Sequence, residues 1–379
     1  MPEPENSALY IHIPFCEHKC IYCDFYSIIT FENESEFINS LKKEIEFYSL
    51  IYSDKMKFSS IFFGGGTPSI LKAYQIQDII NFLYKKFSFC ENPEITLETN
   101  PGSVEKNKLV ELKNSGVNRL SIGIQSFDEE DLKFLTRIHD KNTAIKTVNE
   151  AREIGFENIN VDLIFNLPNQ TKEKWKKNLE IACSLPITHI STYSLILERG
   201  TILNKLVLDG KVKIQDDDYD ADLYQFTIDY LANNNFHQYE VSNFSKPGFE
   251  CIHNLSYWHH KNYLGFGPSA HSFYKNRRWW NFSSLKKYIC EIELNGNAKM
   301  SEEFLSEEEL QSEYIMLALR SNGLILQELT EKFGTEWFDS VSTNINDYVK
   351  AGYLSESEGV IKMTKSGYAV CDEILKNLL

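Results

Sequence analysis

The chain has 379 residues, 42% of them hydrophobic and 25% charged, the proportions of an ordinary globular protein rather than a disordered or fibrous one. Its 39 basic and 54 acidic side chains leave a net charge of −15, which repels phosphate backbones and sets sequence-blind nucleic-acid binding aside. No apolar run approaches the ~20 residues that span a bilayer, and the first residues have neither the basic nor the apolar stretch of a secretory signal. A cytoplasmic protein without a transmembrane segment is expected. The length suits one large domain and a small one.

In chain order, short β-rich stretches at 8–15, 59–66, 94–101, 119–126, 158–168 and 189–197 alternate with helical patterns at 34–51, 73–87, 105–115, 128–155 and 172–185. Such alternation predicts a parallel sheet with right-handed crossovers. Strand by strand, one face is apolar and the other polar. Ile11, Ile13 and Phe15 oppose Tyr10 and His12; Ile95 and Leu97 oppose Thr96, Glu98 and Asn100; Ile122 and Ile124 oppose Ser121, Gly123 and Gln125; Val161, Leu163 and Phe165 oppose Asn160 and Asp162. A parallel sheet covered by helices on both faces reads as nearly continuous apolar runs instead. The pattern predicts a curved, incompletely closed α/β barrel whose polar lumen holds a ligand. The alternative is an open sheet with one face in water.

Further on, 201–236 reads as helical, with the acidic run Asp216 to Asp220 at a helix N-terminus favoured by the macrodipole. A strand at 237–244 leads into an aromatic- and histidine-rich loop at 243–273. Beyond about residue 296 the composition shifts. Ser306 and Glu309 make a capping box, followed by helices near 310–320, 326–333 and 338–351, a hairpin at 353–364 and a last helix. The expected organisation is a barrel over 1–240, a barrel-closing segment over 241–295 and a small, mostly helical, winged-helix-like domain over 296–379.

The sharpest feature is Cys16-Glu17-His18-Lys19-Cys20-Ile21-Tyr22-Cys23, with a Cys-x3-Cys-x2-Cys spacing at the end of the first strand. Eight cysteines are too few for a disulfide scaffold, and clustered thiols in a reducing compartment more often bind metal than pair. Three thiolates ligate three of the four irons of a [4Fe–4S] cluster, leaving one iron open to chemistry. The alternative is zinc, with His18 or a distant cysteine as fourth ligand, although no second Cys-x2-Cys is present.

This cysteine loop resembles that of the radical S-adenosylmethionine (SAM) superfamily. Tyr10-Ile11-His12-Ile13-Pro14-Phe15, Phe63-Gly64-Gly65-Gly66-Thr67-Pro68, Gly123-Ile124-Gln125-Ser126-Phe127 and Asn160-Val161-Asp162-Leu163-Ile164 resemble the subgroup of oxygen-independent coproporphyrinogen III dehydrogenases and related haem chaperones. The resemblance covers nearly the whole chain. It implies an incomplete (β/α)6-type barrel and a [4Fe–4S] cluster on Cys16, Cys20 and Cys23, with SAM on the open iron. It also implies SAM contacts from Tyr10, Gly65, Gly66, Thr67 and Glu98, and Gln125, Arg137 and Asp162 match positions that contact a second SAM in the dehydrogenase.

Two departures separate the subgroups. Where the dehydrogenase has a fourth cysteine two residues after the third, this chain has Phe25, and only fifteen residues precede Cys16 where the dehydrogenase has a long extension closing over its substrate. A His253-Asn254-Leu255-Ser256-Tyr257-Trp258 segment, followed by Gly265-Phe266-Gly267-Pro268, resembles the chaperones. Imidazoles ligate haem iron and aromatic faces cover a macrocycle, which makes His253 the first haem-ligand candidate, ahead of His259, His260 and Cys251. Packing residues and a small zinc site are the other readings of this segment. The implied function is a haem chaperone that delivers haem to acceptor proteins, a haem enzyme at the membrane among them. The alternative is radical decarboxylation of coproporphyrinogen III. Whether the chain is an oligomer stays open.

Overall fold

In the computed structural model, which describes residues 6–379, twelve strands form one sheet. The extreme N-terminus, where no signal is expected, lies outside the described residues. Six strands are mutually parallel: β1 (Asn6–Ile13), β2 (Lys57–Gly65), β3 (Ser88–Thr99), β4 (Arg119–Gln125), β5 (Asn158–Phe165) and β6 (His189–Ser194). Between and after them run α1 (Glu34–Tyr52), α2 (Ala73–Lys86), α3 (Lys106–Asn114), α4 (Glu129–Phe134), α5 (Lys141–Ile154), α6 (Lys172–Ser184), α7 (Ile202–Leu208) and α8 (Asp217–Ala232). The apolar strand faces predicted by the period of two are buried against these helices: Ile11, Ile13, Ile61, Phe63, Ile95, Leu97, Ile122, Val161, Leu163 and Ile190 share one core. The polar faces are left to the lumen.

The barrel does not close on itself. Beyond β6 the edge continues antiparallel through β8 (Asn243–Ser245) to β7 (His237–Gln238). From there α9 (Ile252–Trp258), the histidine-rich segment, returns to lie against β1 and β2. On the other side β1 pairs in parallel with β9 (Tyr263–Phe266), and β10 (His271–Tyr274), β11 (Arg277–Asn281) and β12 (Lys299–Phe304) extend that edge antiparallel. The result is an open (β/α)6 barrel with an antiparallel ribbon on each flank. After α10 (Leu285–Asn295), α11 (Glu307–Leu319) opens a unit with its own core around Ile315, Leu319, Leu329, Ile345 and Ile374 and a three-stranded sheet, order β13 (Leu324–Ile325), β15 (Val360–Met363), β14 (Leu354–Ser357). Ser306 Oγ accepts from Glu309 N at 3.2 Å and Glu309 Oε2 from Ser306 N at 2.8 Å, the expected capping box.

Four elements differ from the sequence pattern, one of them the expected strand at 237–244, which is the two short antiparallel strands β7 and β8. The expected helix at 128–155 is split into α4 and α5, because Thr136 takes a left-handed backbone (φ 56°) and Asp140 caps a new helix by accepting from Thr143 N at 2.7 Å. The expected helix at 201–236 is likewise two, and Asp216 caps the second by accepting from Tyr219 N at 2.8 Å. β3 starts earlier than its alternation suggests, since an irregularity opposite Phe58 and Ser60 inserts residues 90–93 and hides the pattern.

Glu44 of α1 is fully buried and clasps the β9–β11 flank to the barrel. Its carboxylate accepts from Gly267 N at 2.9 Å, Asn281 Nδ2 at 2.6 Å and Tyr288 Oη at 2.7 Å. Burial nevertheless pushes its carboxyl up to about 7. Removing the acceptor orphans three buried donors, so Glu44→Ala is expected to cost on the order of 3 kcal/mol. A lowered urea midpoint with an unchanged slope is the measurement.

Candidate functional site

The cysteine loop leaves the C-terminal end of β1 and is fixed to the end of β2 by backbone. Gly66 N donates to Ile13 O at 2.8 Å and Thr67 N to Phe15 O at 2.7 Å. A Cβ on Gly66 would sit 2.6 Å from Phe15 O and 2.9 Å from Ile13 O, so only glycine permits this approach. Gly65 has φ 105°, and a Cβ there would strike the His12 ring at 2.5 Å. The room these glycines make is thus taken by the chain's own loop and by His12. The amide of the turn is used to hold the lumen carboxylate: Gly65 N donates to Glu98 Oε2 at 3.2 Å.

The three thiols are unpaired by disulfides, and Cys16 and Cys23 feel the charge of their neighbours. Cys16 is buried and receives Thr67 Oγ1 at 3.5 Å; Cys20 receives Arg137 Nη1 at 3.6 Å. Burial pushes the Cys16 thiol up and the Cys23 thiol up to about 11. Free thiolates are therefore disfavoured here, and a bound cation reverses that balance. Among the described residues no three His, Cys, Asp or Glu side chains converge as they do around a single ion. An iron–sulfur cube takes thiolates at separate corners. Donors aimed at sulfur and three thiols on one loop fit the cube.

Deeper in the lumen the polar strand faces meet. Tyr10 Oη donates to His12 Nδ1 at 3.1 Å, and His12 Nε2 donates to Tyr26 O at 2.9 Å; burial draws the His12 ring down to about 4. Asp162 accepts from Asn160 Nδ2 at 2.7 Å and Ser121 Oγ at 3.3 Å. Glu98 is pushed up to about 8, first by burial and then by the charge of Asp162. Arg119, 2% exposed, lies towards the N-terminal ends of the strands, 3.9 Å from Glu94. Gln125 has φ 69° at the end of β4, with its amide nitrogen beside Gly123. The strands thus gather Tyr10, Glu98, Asp162 and Gln125 around one lumen.

Two candidates sit differently from what the sequence suggested. Arg137 is engaged by the protein itself: beyond Cys20, Nη2 donates to Asn100 Oδ1 at 2.8 Å and to Gly123 O, leaving only Nε without a partner. His253 is 2% exposed and has no free nitrogen, since Nδ1 meets Ser60 Oγ at 2.9 Å and Nε2 meets Tyr257 Oη at 3.0 Å, with the ring stacked on Phe62 at 4.8 Å. Both ring nitrogens are thus engaged in packing against the lumen wall, and a haem contact through either means releasing Ser60 or Tyr257. Cys251 faces Glu94 at 3.4 Å and His260 faces Glu313 at 3.2 Å, while His259 is exposed; they do not form a zinc site.

Sequence reasoning missed three contributors. Thr136 Oγ1 accepts from Ile21 N at 3.3 Å, Asn100 Nδ2 donates to Thr67 Oγ1 at 2.9 Å, and Glu94 accepts from Ile252 N and His253 N at 3.2 and 3.1 Å, fixing the N-terminus of α9. Asn100 lay on the polar face already singled out. Nothing local marks the other two.

Two outcomes follow from this geometry. Gly66→Ala displaces the cysteine loop, so iron retained after anaerobic reconstitution should fall several-fold. For Glu98, a carboxyl held above its unfolded value lends stability that is complete below about 4.5 and is lost as pH rises through about 8. Relative to wild type, Glu98→Gln should therefore gain stability progressively across that interval, on the order of a few kcal/mol at its upper end, in urea titrations of the metal-free protein.

Residues 10–182 match the Radical SAM superfamily and residues 305–370 match the HemN C-terminal domain. The chain is 34% identical over 97% of its length to the protein named heme chaperone HemW of Bacillus subtilis, of which it covers 97%, and 32% identical over its full length to that of Lactococcus lactis, of which it covers 98%. It is 33% identical over 99% of its length to the mitochondrial radical S-adenosyl methionine domain-containing protein 1 of Danio rerio, covering 87% of it. The coproporphyrinogen III oxidase HemN of Escherichia coli, described as a radical SAM enzyme, superposes with a TM-score of 0.85 at 25% identity over 99% of this chain and 90% of that one. With its open barrel, three-cysteine loop and full-length relatives, the chain belongs to the radical SAM superfamily and, within it, to the family of the proteins named heme chaperone HemW.

Proposed function

We propose that the protein is a haem chaperone, which binds haem together with a SAM-ligated [4Fe–4S] cluster and passes the haem to acceptor proteins. The observation that carries this reading is the end-to-end similarity to proteins named for that task, with the three-thiol loop kept at the barrel mouth. Cys16, Cys20 and Cys23 hold the cluster. Tyr10, the Gly65–Gly66–Thr67 turn and Glu98 orient SAM above it, with Gln125 and Asp162 lining the rest of the lumen. A SAM-ligated cluster supplies reductive one-electron chemistry.

The chain's own residues do the rest. Thr67 and Arg137 hold donors against two thiolates, favouring the ligating form. Glu98 rests protonated near neutrality while the lumen is empty of cations, and a bound ammonium group draws it into the charged form. Phe25, 63% exposed, stands two residues beyond Cys23 as an apolar surface rather than a further thiol. Haem enzymes, some at the membrane, are the proposed acceptors, and the cytoplasm the proposed location. Among the described residues no helix is long and apolar enough to cross a membrane.

The likeness to HemN favours a second reading, oxidative decarboxylation of coproporphyrinogen III. Anaerobic reconstitution separates the two. The chaperone reading expects iron and sulfide lost in Cys16→Ser, Cys20→Ser and Cys23→Ser variants, a saturable Soret shift on haem titration, and no protoporphyrinogen IX from coproporphyrinogen III with SAM and dithionite. Appearance of that product overturns it, as does absence of the Soret shift. His253→Ala should keep the Soret shift and lose thermal stability, in line with its two buried hydrogen bonds.

A further inference from the structure

The turn between α4 and α5 does something that a continuous helix could not. Thr136, in its left-handed conformation, and Arg137 both reach back to the cysteine loop. Thr136 Oγ1 takes Ile21 N at 3.3 Å, and Arg137 Nη1 lies 3.6 Å from Cys20 Sγ. The guanidinium is itself locked: Asn100 Oδ1 at 2.8 Å and the Gly123 carbonyl hold Nη2, and Leu132 O holds the Arg137 backbone amide at 2.9 Å. It stands beside the Tyr22 hydroxyl and remains charged at any working pH. A cation is thus presented to one ligating sulfur by a rigid frame, while the backbone of the loop is held separately by Thr136.

We propose that Arg137 is a positioning residue that sets the reduction potential of the iron–sulfur cluster, by holding a charge-assisted N–H···S bond on Cys20. Reduction adds one electron to the oxidised cluster from an outside one-electron donor, takes up no proton and makes the cluster one charge more negative. A fixed cation and a hydrogen bond on a ligand sulfur favour that reduced form and raise the potential. Arg137 thereby eases electron entry through Cys20, whatever contact its remaining N–H groups make.

The inference rests on Cys16, Cys20 and Cys23 holding the cluster, and the two can fail separately. Wild-type protein reconstituted anaerobically without bound iron and sulfide refutes that assignment. Loaded wild-type, Arg137→Gln and Arg137→Lys proteins are compared in potentiometric titrations with dithionite, followed by EPR, alongside SAM affinity. The expected result for Arg137→Gln is about tenfold less reduced cluster at a fixed potential, a shift of about 59 mV to the negative. Arg137→Lys, which keeps the charge and loses the fork, should fall between the two. An unchanged potential in Arg137→Gln overturns the proposal, and an unchanged potential with weakened SAM binding returns Arg137 to the substrate. If the variants do not load, wild-type protein labelled with 15N-arginine decides the matter. Pulsed EPR of the reduced cluster should show a 15N coupling from a guanidinium, and its absence overturns the assignment.

Discussion

Two backbone hydrogen bonds, Gly66 to Ile13 and Thr67 to Phe15, tie the end of β2 to the start of the cysteine loop, and the barrel mouth is organised from them. They demand a residue without a side chain at position 66, and they deliver Thr67 buried beneath Cys16. Thr67 takes Asn100 from β3, Asn100 takes Arg137 from beyond α4, and Arg137 returns to Cys20. The chain of contacts closes on the loop where it began. Each link is a directional bond between groups largely shielded from water, where such bonds are strong and leaving one unmade is costly. A loop that must present three sulfurs in a fixed arrangement is in this way built as a ring, not as a free turn.

Much of the frame was legible in the amino-acid order because it follows from the period of two. Alternation on β1, β3, β4 and β5 separated a core face from a lumen face, and Tyr10, Glu98, Gln125 and Asp162 were visible as the polar half. The cysteine spacing was legible because its ligands are local. What escaped was of another kind. The 128–155 segment has an unbroken helical rhythm, and its break depends on a strained Thr136 whose reward, a bond to Ile21, lies 115 positions away. His253 was singled out by the resemblance of its segment and by its imidazole; that α9 would turn it towards Ser60 is a property of the assembled barrel. The resemblance implied the glycine turn as a SAM contact; that His12 and two carbonyls also press against it is a property of the assembled strands.

The close likeness to a coproporphyrinogen oxidase in fold, beside relatives named as chaperones, illustrates that an architecture fixes where chemistry can occur and leaves open which chemistry it is. In this barrel the lumen keeps Glu98 and Asp162 close with an arginine below, a polar, poorly solvated chamber that any cationic guest would relax. At the mouth, Phe25 stands exposed two residues beyond the last cysteine of the loop.

The pairing of β1 with β9 has a consequence for how such a chain is made. Ala8 to Ile11 meet partners at Tyr263 to Phe266, so during synthesis the strand that carries the cysteine loop has one bare edge until most of the polypeptide has left the ribosome. Loop closure over that distance is slow, and an exposed edge invites the wrong neighbour. The strand that carries the cysteine loop is therefore covered on both sides only once the far ribbon has docked.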